Sequence, residues 1–212
     1  MREKEILQKI NDYVCKLLKN EGTGHDFYHI QRVVKNVQII CESENIPTFY
    51  PKLLAYLHDV GDYKLHDGID CTAYFVHKAL KPLFPDPFIK KVINDIQAIG
   101  YKGGLNEPSD KIEVWIVQDA DKLDAMGAIG IARAFAYGGS KNRLLHDPLY
   151  NTENYKTIAE YQQSTAPTIQ HFYDKLLKLK DLMKTEKGKE LAIERHVFME
   201  TFLEQFYKEW NI

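Results

Sequence analysis

Apolar residues recur at three- and four-residue steps along most of the chain, most clearly in residues 6–18 and 30–41. This spacing places apolar side chains on one face of an α-helix, whereas a half-buried strand alternates at every second residue. The β-branched segment 112–117 does not alternate strictly and runs directly into residues 120–134, so it also predicts a buried helix. The pattern therefore predicts an all-α fold.

Glycine and proline residues mark the ends of the predicted helices. Gly22-Thr23-Gly24 separates the first two helices, Pro51 suits the first turn of a third, and Gly61 can end it. Further helices are predicted at about 69–81, 86–100, 108–124, 126–138, 154–180 with a break at Pro167, and 188–209.

The length of 212 residues suits one compact domain that spans residues 1–212. The stretch 138–154 is rich in Gly, Asn, Asp and Pro, which is compatible with a linker between two domains. We interpret it as a loop, because the segment that follows would bury little apolar surface by itself. The helices at 154–209 are therefore expected to pack on the N-terminal part.

Composition argues against several classes of protein. A net charge of −2 gives no electrostatic reason to expect nucleic acid or an anionic membrane as a partner. The three cysteines form no CxxC pair, which is typical of a reducing compartment. The N-terminus lacks a secretory apolar region, and no apolar run approaches the roughly 20 residues that span a bilayer. We expect a cytoplasmic protein that is a monomer or a homodimer.

Histidine and aspartate residues cluster at three places: His25, Asp26 and His29; His58-Asp59; and Asp119, Asp121 and Asp124. Imidazole nitrogens and carboxylate oxygens are good ligands for divalent cations. An HD dipeptide alone is a weak signal, because adjacent side chains on a helix diverge by about 100°. Three carboxylates in an apolar helical segment, however, are unfavourable unless they are paired or bind metal. Together the clusters indicate a metal site within residues 25–124.

Three stretches carry a resemblance to a known family: GHDFYHIQRV, LHDVGDYKLH and IVQDADKLDAMGAIGIARAFAYGG. The order His29, His58-Asp59, Asp121 resembles that of the HD-domain superfamily of metal-dependent phosphohydrolases. The chain is most similar to a bacterial subgroup that contains hydrolases releasing pyrophosphate from nucleoside triphosphates. The resemblance extends over nearly the whole chain, including HFYDKLLKLKDLM and RHVFMETFLEQF.

The resemblance implies four metal ligands, namely His29, His58, Asp59 and Asp121. Asp119 competes for the last position, and the alignment of the family ligand with the Asp of Ala120-Asp121-Lys122-Leu123 favours Asp121. His25 and Asp26 are then interpreted as residues that orient the ligands or contact substrate. Two imidazoles and two carboxylates favour Mn²⁺, with Mg²⁺, Fe²⁺ or Zn²⁺ as alternatives, and leave positions open for water or phosphate.

Asp62 lies three residues after Asp59, which is about one helical turn. We interpret it as the catalytic group that positions or deprotonates the attacking water, and its plain alternative is an exposed carboxylate at a helix end. Cations close to the predicted ligands are candidates for binding substrate phosphates: Arg32, Lys64, His66, Lys122 and Arg133. Segment 101–104 could donate backbone N–H groups to phosphate or simply end a helix, and segment 138–143 could form a second phosphate loop or a flexible lid.

The sequence thus predicts a metal-dependent phosphohydrolase that acts on a small phosphorylated substrate, most simply a nucleotide. Release of pyrophosphate from a nucleoside triphosphate is the first reading. The alternatives are a phosphomonoesterase acting on nucleoside monophosphates and a non-catalytic module that senses nucleotides.

Overall fold

A computed structural model describes residues 2–19, 26–66, 68–99, 109–150 and 164–210 of the chain. These ranges contain nine α-helices: α1 Glu3–Leu17, α2 Phe27–Glu44, α3 Phe49–Leu57, α4 Thr72–Leu80, α5 Asp86–Gln97, α6 Ile112–Asp124, α7 Gly127–Ser140, α8 Thr168–Asp174 and α9 Glu186–Trp210. Two 3-10 helices, Tyr63–Leu65 and Leu176–Leu182, lie between them. No strand occurs among the described residues, and the predicted all-α fold is confirmed.

The centre of the fold is the packing of α2 and α3 against α6. Each helix turns an apolar stripe inward, and the following side chains are fully excluded from solvent: Val33, Val37, Leu53, Leu57, Ile116 and Leu123. Burying one such side chain contributes about 1.5–3 kcal/mol to stability. One hydrophobic core runs from Ile6 of α1 to Leu203 of α9. No helix in the described ranges is long and apolar enough to cross a bilayer.

The end of the third predicted helix differs from the structure. The third helix ends at Leu57, not at Gly61, and a turn follows. Gly61 is instead a point of close backbone approach: its carbonyl accepts a hydrogen bond from the Cys71 amide at 2.9 Å. A Cβ at position 61 would lie 2.2 Å from the Thr72 nitrogen, so this crossing requires glycine.

The segment after α6 also departs from the prediction. Helix α7 continues to Ser140, so the glycines at 138 and 139 belong to its last turn. The Arg143 amide donates to the Gly138 carbonyl at 2.9 Å, which closes the helix end. The Arg143 N–H group therefore bonds within the chain, and the phosphate-loop interpretation of segment 138–143 stays a prediction. Segment 101–104, the other candidate, lies outside the described residues.

Beyond Pro167 the predicted long helix is interrupted. Helix α8 ends at Asp174, and residues Leu176–Leu182 form a 3-10 helix in place of the continuous helix expected to about 180. Lys175 breaks the α-helical geometry, with φ −136° and ψ −61°. Residues 154–163 of the predicted helix lie outside the described residues.

Helix α9 is joined to α6 through a buried carboxylate. Asp119 is fully excluded from solvent, and its Oδ2 accepts hydrogen bonds from the Lys184 amide at 2.9 Å and from the Thr185 amide at 2.7 Å. The Thr185 hydroxyl donates to the same oxygen at 2.9 Å. Asp119 therefore fixes the start of α9 on the side of α6.

This junction leaves no room for a side chain at Gly188. A Cβ there would lie 2.6 Å from Thr185 Oγ1 and 2.7 Å from Asp119 Oδ2. We predict that Gly188→Ala lowers the free energy of unfolding by about 1–3 kcal/mol, because the junction must open to accept the methyl group. Urea denaturation measures this change.

Gly139→Ala is the matched control, because a Cβ at position 139 meets nothing within 4 Å. In a helix this change is expected to be neutral or to stabilise by up to about 1 kcal/mol. Equal stability of the Gly188→Ala variant and the native protein would contradict the tight packing around Asp119.

Candidate metal centre

Four side chains from three segments meet where α2, α3 and α6 pack together. His29 lies in the first turn of α2, His58 and Asp59 follow α3 directly, and Asp121 lies in the last turn of α6. His29 Nε2 is 3.2 Å from Asp59 Oδ2 and 3.6 Å from Asp121 Oδ1. His58 Nε2 is 3.5 Å from Asp59 Oδ1 and 3.9 Å from Asp121 Oδ1.

The tautomer of His58 is fixed by the end of α3. Its Nδ1 lies 2.8 Å from the Ala55 carbonyl oxygen, which can only accept a hydrogen bond. Nδ1 therefore carries the proton, and Nε2 presents a lone pair to the cluster. This Nε2 is buried and has no hydrogen-bond partner among the described residues. An unsatisfied buried acceptor is unfavourable, and a bound cation would satisfy it.

The ring of His29 is oriented by Asp124, at the end of α6. His29 Nδ1 lies 2.7 Å from Asp124 Oδ2, which turns Nε2 toward Asp59 and Asp121. A carboxylate that receives the second N–H of a ligating histidine fixes its tautomer and raises its basicity. The pKa of His29 lies above its ordinary value: burial and Arg133 lower it, but the hydrogen bonds with Asp124 and Asp59 outweigh both.

Asp124 is itself held ionised by two arginines. Arg32 Nε donates to its Oδ1 at 2.6 Å, and Arg133 Nη1 donates to its Oδ2 at 2.8 Å. Burial alone would raise the pKa of Asp124, but the hydrogen bonds from His29 and Arg32 and the charge of Arg133 hold it well below its usual range. Asp124 is thus an anion that accepts from three side chains.

The donor set suits a divalent cation. Ligand atoms of His29, His58 and Asp121 lie within 4.8 Å of one another, and the Asp59 carboxylate adjoins both imidazoles. Imidazole nitrogens and carboxylate oxygens are both common ligands of divalent cations in proteins. Asp121 is 29% exposed, so the cluster is open to solvent on one side.

The two carboxylates that competed for the last ligand position have different surroundings. Asp121 lies with His29 and His58, whereas Asp119 Oδ2 faces the start of α9. Lys122 Nζ is 3.5 Å from Asp119 Oδ1. Burial lowers the pKa of Lys122, although Asp119 and Asp121 oppose this shift.

The remaining predicted site residues have mixed placements. Asp26 is the N-cap of α2 and accepts a hydrogen bond from the His29 amide at 2.7 Å, so it supports the predicted ligand through the backbone. His66 Nε2 lies 3.1 Å from the Val60 carbonyl oxygen, and its ring stacks on Phe75. His66 therefore helps to hold the turn after His58-Asp59.

The Asp62 amide donates to the Asp59 carbonyl at 3.1 Å, which places Asp62 in the turn next to the cluster. Lys64 belongs to the 3-10 helix Tyr63–Leu65 that follows, but its side chain lies outside the described residues. His25 lies outside the described residues altogether.

Sequence reasoning missed the roles of Asp124 and Arg195. Arg195 of α9 donates to the Leu123 carbonyl through Nη1, and its Nη2 donates to Asn36 Oδ1 at 3.4 Å. It therefore satisfies a carbonyl at the end of α6, beside Asp124. For Asp124 the available signal was a third carboxylate at the end of the helical segment 112–124, and the pattern did not indicate which distant residues it contacts.

Comparisons with known proteins agree with this geometry. The model of the HD domain family matches residues 26–126. An HD-superfamily hydrolase from Bacillus thuringiensis is 40% identical, with 99% of each chain covered and a TM-score of 0.73. A Lactobacillus plantarum protein is 31% identical, with 100% of this chain and 99% of that chain covered and a TM-score of 0.86.

The Bacillus subtilis protein YpgQ is 36% identical over 99% of this chain and 96% of its own length. A crystal structure of YpgQ in complex with ADP has a TM-score of 0.74 and covers 99% of this chain and 97% of that one. The all-helical fold and the His-Asp cluster define the class, and the chain belongs to the HD superfamily of hydrolases.

Asp121 and Asp119 offer a paired test of the centre. We predict that Asp121→Ala weakens Mn²⁺ binding by more than about 100-fold. Loss of a ligand should cost more than loss of a residue that only hydrogen-bonds to a ligand. Because Asp121 is partly exposed, the metal-free variant should unfold at nearly the native temperature. Calorimetric titration with Mn²⁺ and thermal denaturation measure the two effects.

Asp119→Ala should give the opposite pattern. It leaves the buried Thr185 amide and the Lys184 amide without their acceptor, which costs about 2–4 kcal/mol of stability. At a temperature where the variant is folded, its Mn²⁺ affinity should stay within about threefold of native, because the hydrogen bonds of Asp119 go to the start of α9. A loss of Mn²⁺ binding in the folded Asp119→Ala variant would assign the ligand to Asp119.

Proposed function

We propose that the protein is a metal-dependent phosphohydrolase that cleaves nucleoside triphosphates to the monophosphate and pyrophosphate. The observation that carries the proposal is the convergence of His29 Nε2, His58 Nε2 and Asp121 on one point at the end of α6. In this proposal His29, His58, Asp59 and Asp121 hold the cation, with Mn²⁺ preferred. A cation held there would acidify a water molecule and neutralise charge on the phosphoryl oxygens.

The protein's own groups then divide the remaining work. Asp62, whose backbone lies in the turn after Asp59, positions or deprotonates the attacking water, since a carboxylate that reaches the cluster can accept that proton. Arg32 is 34% exposed beside Asp124, whereas Lys122 is only 12% exposed and its Nζ lies 3.5 Å from Asp119 Oδ1. Together with Arg133, they would balance the negative charge of a polyphosphate.

A nucleotide substrate is supported by two independent considerations. The sequence resembles the subgroup of HD hydrolases that release pyrophosphate from nucleoside triphosphates. The relative YpgQ has been crystallised with ADP, which carries both a base and a phosphoanhydride. These points favour a phosphoanhydride substrate over an unrelated phosphoester.

The proposal is tested by incubating Mn²⁺-loaded protein with a panel of nucleoside tri-, di- and monophosphates and identifying each phosphate product. We expect pyrophosphate and the monophosphate from one or more triphosphates. Orthophosphate from monophosphates would show a phosphomonoesterase instead. Binding of nucleotides without any product at saturating Mn²⁺ would show a sensing module.

Asp62→Asn tests the proposed base. We predict a fall in kcat of about 10²- to 10⁴-fold, the range that positioned proton transfer contributes, with no change in bound Mn²⁺. Asp181→Asn, in the 3-10 helix Leu176–Leu182, is the control because this carboxylate is exposed. If Asp62→Asn loses Mn²⁺, Asp62 is a ligand and not the base.

A further inference from the structure

We propose that Asp124 is a positioning residue that couples the metal centre to the phosphate-binding arginines. Its single carboxylate orients His29 toward the cation and holds Arg32 and Arg133 beside it. The inference rests on the proposed function, because it assigns His29 to the cation and the arginines to the substrate. The inference adds Asp124, a residue that contacts neither the cation nor the substrate.

Four donor atoms from three side chains contact the carboxylate of Asp124. Oδ2 lies 2.7 Å from His29 Nδ1, 2.8 Å from Arg133 Nη1 and 3.1 Å from Arg32 Nη2. Oδ1 accepts from Arg32 Nε at 2.6 Å. A carboxylate has about two lone-pair sites on each oxygen, so Oδ2 is fully used and Oδ1 keeps one site. With only 3% of its side chain exposed, water does not compete for them.

On the metal side, Asp124 restricts the imidazole of His29. The hydrogen bond at Nδ1 fixes the tautomer and directs Nε2 at Asp59 and Asp121. Without it the ring could rotate or carry its proton on Nε2, which cannot then bind a cation. Hydrogen-bond partners of this kind typically contribute about 10- to 100-fold to metal affinity.

On the substrate side, the arginines keep donors that Asp124 does not use. Arg32 donates to the carboxylate through Nε and Nη2, and no hydrogen bond among the described residues uses Nη1 of this side chain, which is 34% exposed. Arg133 engages Asp124 through Nη1, and its buried Nε has no hydrogen-bond partner among the described residues. Two guanidinium groups share the carboxylate of Asp124, so together they carry one positive charge more than Asp124 neutralises.

The first experiment measures Mn²⁺ affinity of the Asp124→Asn variant by calorimetric titration. An amide cannot accept from all three partners, because its nitrogen only donates. We expect Mn²⁺ to bind about 10- to 100-fold more weakly than to the native protein. Native affinity in a folded Asp124→Asn variant would overturn the proposal for the metal side.

Asp95→Asn is the matched control. Asp95 has the same 3% side-chain exposure, and it accepts hydrogen bonds from Tyr50 at 2.7 Å and from Lys111. It contacts none of the predicted ligands through these bonds. Asp95→Asn should lower the unfolding temperature as much as Asp124→Asn does, while the Mn²⁺ affinity of Asp95→Asn stays native. An equal loss of Mn²⁺ affinity in both variants would mean that Asp124 acts only through general stability.

The second experiment addresses the arginines and remains informative if Asp124→Asn does not fold. ADP is the probe, in the presence of saturating Mn²⁺. Arg32→Gln and Arg133→Gln should each weaken ADP binding by about tenfold or more, the size of one charge-assisted hydrogen bond, and change Mn²⁺ affinity much less. Native ADP affinity in both arginine variants would overturn the substrate side.

A double-mutant cycle separates coupling from independent effects. If Asp124 acts through Arg32, the losses of ADP affinity in Asp124→Asn and Arg32→Gln should not add in the double variant, whereas independent roles would add. These binding measurements do not require turnover, so they stand even if no triphosphate is hydrolysed. A native protein that binds no Mn²⁺ would overturn the proposed function and this inference together.

Discussion

The close packing of α2 against α6 is the contact on which the rest of the structure depends. It brings His29 within hydrogen-bonding distance of Asp124, which lies 95 residues later in the chain. The register of the two helices is set by apolar side chains such as Val33 and Ile116, which are fully buried. A shift of one residue would rotate a helix face by about 100° and carry the imidazole away from the carboxylates. Ordinary hydrophobic packing therefore determines the geometry of the polar centre.

The helical periodicity of the sequence was enough to predict α2, α3 and α6, because each has an apolar stripe and long helices are specified locally. The interruption at Lys175 was not predicted, since it depends on a local backbone geometry that leaves no clear mark in the composition. The grouping of His29, His58, Asp59 and Asp121 followed from a family resemblance. Spacing alone could not supply it, because the ligands come from three segments.

The three carboxylates of the last turns of α6 show most clearly what sequence reasoning lacked. Asp119, Asp121 and Asp124 are chemically identical and stand on one helix, yet they face α9, the His-Asp cluster and the arginine pair, respectively. Their roles depend on partners up to 95 residues away. Periodicity indicates which face of a helix is buried but not which distant donor it meets.

The bonds of Asp119 also determine when this part of the protein can be completed during synthesis. The donors at Lys184 and Thr185 lie 65 and 66 residues after their acceptor, beyond the region that matches the HD domain. While the ribosome is still producing that interval, the carboxylate has no backbone amides to pair with and must stay hydrated. The nascent chain therefore cannot form these two hydrogen bonds until residue 185 has emerged from the ribosome.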